Sequence, residues 1–116
     1  MPDITIYTDG SALGNPGPGG YGIVLLSGPH RKELSAGFRL TTNNRMELMA
    51  AIAGLEALDT PSEVEIYSDA QYMVQAFNDR WIDKWVIRGW KREKEKPLIN
   101  ADLWKRLYAA TKKQMK

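Results

Sequence analysis

Residues 41–67 read TTNNRMELMAAIAGLEALDTPSEVEIY, and the order of elements in this stretch decides the fold. Thr41, Thr42, Asn43 and Asn44 carry short polar side chains that cap helix N-termini. Behind them Leu48, Ile52 and Leu55, with Met49 and Ala53 beside them, recur at the spacing of one helical face, which predicts a helix over about 43–58. Pro61 breaks that pattern, and Val64 to Tyr67 read as a short strand. Ser68 then opens a second helix carrying Tyr72, Val74 and Phe77.

Upstream, residues 3–9 alternate apolar and polar with β-branched enrichment, the pattern of a strand. Gly10 to Gly20 packs five glycines and two prolines into eleven residues, which no helix tolerates, so the chain bends there. Residues 21–27 and 32–40 read as two further strands joined by a turn around Gly28 and Pro29. Together with the first they suggest an antiparallel meander. A strand, a long helix and another strand imply a crossover with parallel pairing. The expected class is therefore α/β, a mixed sheet of a three-strand meander plus parallel strands, with helices packed on it. Downstream, Leu103, Trp104, Leu107 and Tyr108 recur at helical spacing within 100–114, and no closing strand follows.

A chain of 116 residues suffices for one domain with one core, so residues 1–116 are read as a single unit. Hydrophobic residues at 43% and charged ones at 26% are an ordinary globular balance, which argues against disorder. No apolar run approaches the roughly 20 residues that cross a bilayer, and MPDITIYTDG has no signal-like segment, so a soluble cytoplasmic protein is expected. With no cysteine, a metal would have to be held by oxygen or by His30, which has the bland reading of a surface turn residue. The net charge of +2 hides an asymmetry: residues 80–96 hold seven Lys or Arg against three acids, while the remainder is slightly negative. That points to a polyanionic partner at one place.

Three acids have suggestive settings. Asp9 ends the first strand, Asp69 ends Val-Glu-Ile-Tyr-Ser-Asp in the same way, and Glu47 lies one turn into the long helix. If the first and fourth strands are neighbours, both aspartates reach one sheet edge, where Glu47 could join them. Singly, each has an ordinary reading: Asp9 as a turn residue, Glu47 as a surface helix acid, Asp69 as an acid favoured by a helix dipole. Gathered, three like charges repel unless a cation compensates, and a hard divalent ion such as magnesium suits an all-oxygen cluster.

Tyr7-Thr8-Asp9-Gly10-Ser11, followed by Gly14-Asn15-Pro16-Gly17 and Gly19-Gly20-Tyr21-Gly22, resembles the opening of the type 1 ribonuclease H family. Residues 41–48 resemble its second motif and residues 67–72 its third. The likeness continues through Trp81, Trp85, Arg88 to Lys91, Lys96-Pro97 and residues 100–104, covering nearly the whole chain. Long, mutually ordered motifs are far more specific than one short pattern.

The resemblance implies an endonuclease that hydrolyses the RNA strand of RNA–DNA hybrids by a two-metal mechanism, leaving 5′-phosphate and 3′-hydroxyl ends. It implies Asp9, Glu47 and Asp69 as catalytic metal ligands, with the Gly10 backbone beside them, and two Mg2+ ions with Mn2+ able to substitute. Asn15, Asn43, Asn44 and Gln71 would lie along the minor groove and sense 2′-hydroxyls. Residues 80–98 match the family's basic protrusion. There Trp81, Trp85 and Trp90 would meet sugars of the DNA strand, and Lys84, Arg88, Lys91 and Lys94 its phosphates, although tryptophans such as Trp85 and Trp104 also serve as core. Thr42 would help to seat a DNA phosphate, but this chain has Leu40 where the family often has Arg and Lys84 where it has Asn. Val86 and Ile87 replace frequent lysines, which implies weaker hybrid binding.

A complete family member continues into a last strand, a loop with a catalytic histidine and a helix with a fourth acid, and no counterpart follows Asp102, which is read instead as an acid suited to the last helix's dipole. Reduced or manganese-favoured cleavage is therefore expected, with a non-catalytic hybrid-binding module as the alternative. The resemblance implies a monomer, while loss of a terminal strand and helix would open the way to a dimer or strand exchange.

Overall fold

Along Ile4–Ala12 (β1), Ile6 is fully buried while Tyr7 and Asp9 are exposed, as the two-residue period requires of a strand with one covered face. The computed structural model describes residues 3–14, 16–58, 62–68, 70–78, 80–90 and 99–112, with the backbone alone at position 72. β2 (Gly17–Ser27) runs antiparallel to β1, with Asp9 opposite Gly22, and β3 (His30–Thr41) antiparallel to β2. Helix α1 (Asn43–Glu56) returns the chain to β4 (Val64–Ser68), which pairs in parallel with β1 and sets Ser68 opposite Thr8. The sheet order is β3-β2-β1-β4, so the first and fourth strands are neighbours and the mixed α/β architecture is the one expected. Helices α2 (Gln71–Asn78), α3 (Trp81–Ile87) and α4 (Ala101–Lys112) follow. Among the described residues no helix is long and apolar enough to cross a membrane.

The strands reach further into the glycine-rich segment than its composition suggested: β1 runs to Ala12 and β2 starts at Gly17, leaving the reversal to the residues between. Short side chains let these strands continue, because the neighbouring backbone is close; a Cβ at Gly19 would stand 2.5 Å from the Ser11 carbonyl oxygen. His30, expected in the turn, instead opens β3 opposite Ser27 and is exposed.

The core lies between the sheet and α1. Ile6, Ile23 and Leu25 meet Leu48, Ala51, Ile52 and Leu55, and α4 adds Leu103, Trp104 and Leu107. Each large side chain fully buried here contributes about 1.5–3 kcal/mol of hydrophobic stabilisation. The opposite face of β1 and β4 carries Tyr7 and Tyr67, stacked 5.1 Å apart at 15° and about half exposed. In α2 the buried positions among the described side chains are Met73 and Ala76, whereas Val74 and Phe77 stand more than a third exposed. The side chain of Tyr72 lies outside the described atoms, and residues 113 and 114, to which the last helix was expected to run, lie outside the described residues.

Candidate active site

Where β1 meets α1 there is no room for a side chain. A Cβ at Gly10 would lie 2.6 Å from the carbonyl carbon of Met46, 2.7 Å from its oxygen and 2.9 Å from the amide nitrogen of Glu47. That contact seats β1 on the first turn of α1 at Gly10, two residues before the strand ends at Ala12, so Asp9 lies within β1 rather than at its end as expected, and the backbones of Asp9-Gly10 and Met46-Glu47 come together. Asp9 is exposed and Glu47 half-buried. Asp9 lines a shallow depression on the open sheet face with Tyr7, Gly22, Glu33 and Ser35. Asp69 lies outside the described residues, but the residues preceding the two aspartates, Thr8 and Ser68, are cross-strand partners. Among the described residues, which leave out position 69, no three acidic or histidine side chains cluster.

The same turn of α1 carries the polar residues expected to touch substrate. Thr42 is the N-cap, in extended conformation, its Oγ1 accepting from the Arg45 amide at 3.2 Å. Asn43 Oδ1 accepts from the Ala12 amide at 2.5 Å, a second tie between α1 and β1. Asn44 and Gln71 are exposed, while Asn15 lies outside the described residues. Leu40, where a basic residue would favour phosphate, is 73% exposed.

On α3 and its exit, Lys84 and Arg88 are exposed, and Lys91 and Lys94 fall outside the described residues. Trp81, Trp85 and Trp90 are half-buried, with their rings partly committed to protein. Trp85 tilts against the buried Trp104 with centroids 4.9 Å apart, Trp81 lies 6.5 Å from Trp85, and Trp90 meets Tyr108 edge-on at 5.7 Å. Trp85 and Trp90 therefore help to dock this arm on α4, and Trp81 packs beside Trp85 within α3, whatever their exposed parts do.

Arg45 takes a part at this site that the sequence motifs alone do not assign to it. It donates from Nη1 to Asn100 Oδ1 at 3.0 Å and to Asp102 Oδ1 at 3.1 Å, and from Nη2 to Asp102 Oδ2 at 2.8 Å. Hydrogen bonding to Arg45 holds the Asp102 carboxyl below its ordinary pKa, and the same bond raises that of the guanidinium. A signal was present: Arg45 is the one base in α1 and sits in its first turn, where the helix dipole disfavours a cation and a partner is called for.

The family model described as RNase H matches residues 1–116. The chain is 62% identical over 104 residues to the ribonuclease H of Syntrophus aciditrophicus (strain SB), covering 90% of this chain and 60% of that one. It is 59% identical over 113 residues to the ribonuclease H of Lachnoclostridium phytofermentans, covering 92% and 72%. It thus spans between three fifths and three quarters of these curated relatives. Among solved structures, the N-terminal RNase H domain of Rv2228c from Mycobacterium tuberculosis superposes with a TM-score of 0.75 at 27% identity, over 98% of this chain and 77% of that one. LC11-RNase H1, solved in complex with RNA/DNA hybrid, does so with a TM-score of 0.70 at 27% identity, over 96% and 78%. The whole-length family match, the identity to these relatives and the shared sheet make this chain a member of the ribonuclease H family.

Proposed function

We propose that this chain, a single unit with residues 80–98 as its basic protrusion, is the part of a divalent-metal-dependent endonuclease that binds RNA–DNA hybrids and hydrolyses their RNA strand, leaving 5′-phosphate and 3′-hydroxyl ends. The observation that carries the reading is the seating of Asp9-Gly10 on Met46-Glu47, which supports two carboxylates at one end of the sheet. The hybrid bound to LC11-RNase H1 supports the substrate class.

The donors fit a hard cation: they are oxygen only, one exposed and one half-buried, at a surface open enough for a polymer. Asp9, Glu47 and Asp69, with the Gly10 backbone beside them, would hold two magnesium ions, or manganese in their place. When bound, the ions supply a water activated for attack and charge stabilisation at the leaving 3′ oxygen. The protein's own groups bind and orient. The oxygen of Asn43 is occupied by the Ala12 amide, which leaves its Nδ2–H to donate to a 2′-hydroxyl oxygen, a group that only RNA presents. Asn15, Asn44 and Gln71 extend the same amide readout. Thr42 retains its O–H for a phosphate while its oxygen accepts from Arg45. Lys84, Arg88 and Lys91 meet phosphates of the DNA strand, and the exposed parts of Trp81, Trp85 and Trp90 meet its sugars.

The test is cleavage of a 5′-labelled RNA–DNA hybrid by the purified chain with magnesium, with manganese and with chelator. Cutting confined to hybridised RNA, dependent on metal and absent in Asp9→Asn, is expected. Salt-sensitive hybrid binding with no cutting under any metal would leave a binding module, and neither binding nor cutting would overturn the reading.

A further inference from the structure

The first turn of α1 and its cap are tied to two other elements. Thr42 caps the helix, Asn43 and the Met46-Glu47 backbone hold β1, and Arg45 reaches α4. On α4 the guanidinium grips both the residue before the helix and one in its first turn. Asn100 adopts a left-handed conformation, φ 60°, and its carbonyl accepts from the amides of Leu103 and Trp104 at 3.0 Å each. Asp102 meets the guanidinium in the two-point fork that arginine makes and lysine does not. From that anchored end, α4 presents Trp104 and Tyr108, on which Trp85 and Trp90 rest.

We infer that Arg45 is a positioning residue, which locks the first turn of α1 to the start of α4 and so keeps the basic arm in register with the carboxylate end of the sheet. The inference rests on the hybrid-binding reading above. Phosphates recur at fixed spacing along a duplex, so Lys84 and Arg88 can meet the DNA strand while the RNA strand lies at Asp9 only if the two regions are rigidly related. The ion pair is two-thirds exposed on the Asp102 side, where such pairs add little to stability. Its effect therefore falls on alignment more than on folding.

Charge makes the test sharp. Asp102→Ala removes a negative charge, and electrostatics alone would then tighten binding to a polyanion. Affinities are measured by fluorescence anisotropy in chelator, for a long hybrid that reaches the arm and a short one confined to the carboxylate end. Arg45→Ala, Asp102→Ala and their combination are each first shown folded by circular dichroism, with Asp102→Asn as the milder variant should Asp102→Ala not fold. Expected is a loss of about tenfold on the long hybrid in either single variant, with the short hybrid within about twofold and the double variant no worse than the singles. The salt slope for the long hybrid should shrink by about one for each phosphate that the arm no longer reaches, a change that simple destabilisation does not produce. Arg45→Lys should not restore it. Long-hybrid affinity unchanged or improved in Asp102→Ala overturns the inference, as does an equal loss on both hybrids in Arg45→Ala alone, which would make Arg45 a phosphate ligand. Failure of the unsubstituted chain to bind either hybrid overturns the hybrid-binding reading itself, and this inference with it.

Discussion

A methyl group at position 10 would fall inside contact distance of three backbone atoms of α1, none of which can swing away as a side-chain tip could. Gly10→Ala should therefore push the first turn of α1 off β1, destabilising the chain by about 1–3 kcal/mol and separating Asp9 from Glu47. Urea unfolding measures the first effect and hybrid cleavage the second, with cleavage expected to fall further than binding. Asp102 makes a second case at this scale. Its pKa is lowered, chiefly by the hydrogen bond from Arg45, so the pair contributes stability above the unfolded carboxylate's pKa and loses it as pH falls through the lower folded value. The contribution is small because the carboxylate is largely exposed. Urea midpoints taken from neutral to acid pH should fall less steeply in Arg45→Ala, and an identical acid limb would remove the pair from the pH response. That Asp9-Gly10 and Met46-Glu47 come together could be expected, because their motifs are local runs with an ordered spacing. The partners of Arg45 were not, since Asn100 and Asp102 lie 55 and 57 positions away and only the folded packing of α1 against α4 brings them near.

Strand and helix order was readable because each element carries its own period and its own breaker, with Pro61 between α1 and β4 the clearest. What periodicity could not supply was which stripe of a short helix faces inward. In α2 Met73 and Ala76 are buried, while the bulkier Val74 and Phe77 line a groove with Val64, Ile66 and Leu107. Eight residues span barely two turns, so neighbouring stripes compete and the packing partner decides. The tryptophans of the arm posed the same problem, because composition does not distinguish a stacking platform from a docking wedge. Trp85 is the decisive one, lying between Trp81 and the buried Trp104. Trp85→Ala should cost about 2–3 kcal/mol, below a fully buried tryptophan because the ring is only half covered, and should weaken hybrid binding by loosening α3. Equilibrium unfolding together with anisotropy tests this: weakened binding at unchanged stability would make the ring a substrate contact alone.

Along the whole chain, charge is divided unevenly. Residues 80–96 are locally +4 and the rest of the chain is slightly negative, with Asp9 exposed at the carboxylate end. On the proposed reading a polyanion would be drawn to the arm and repelled from the acids until a cation compensates them, which would separate the groups that hold the hybrid from those that act on it. Without metal, Asp9→Asn should bind hybrid at least as tightly as the unsubstituted chain while cutting nothing once metal is returned. The arm gives the complementary result. Replacing Lys84 and Arg88 together with alanine should lower the slope of log affinity against log salt by roughly one per residue, because each neutralised phosphate releases about one counterion. Titrations from low to physiological salt measure it. An unchanged slope would mean that the exposed cations of α3 and its exit do not touch the duplex.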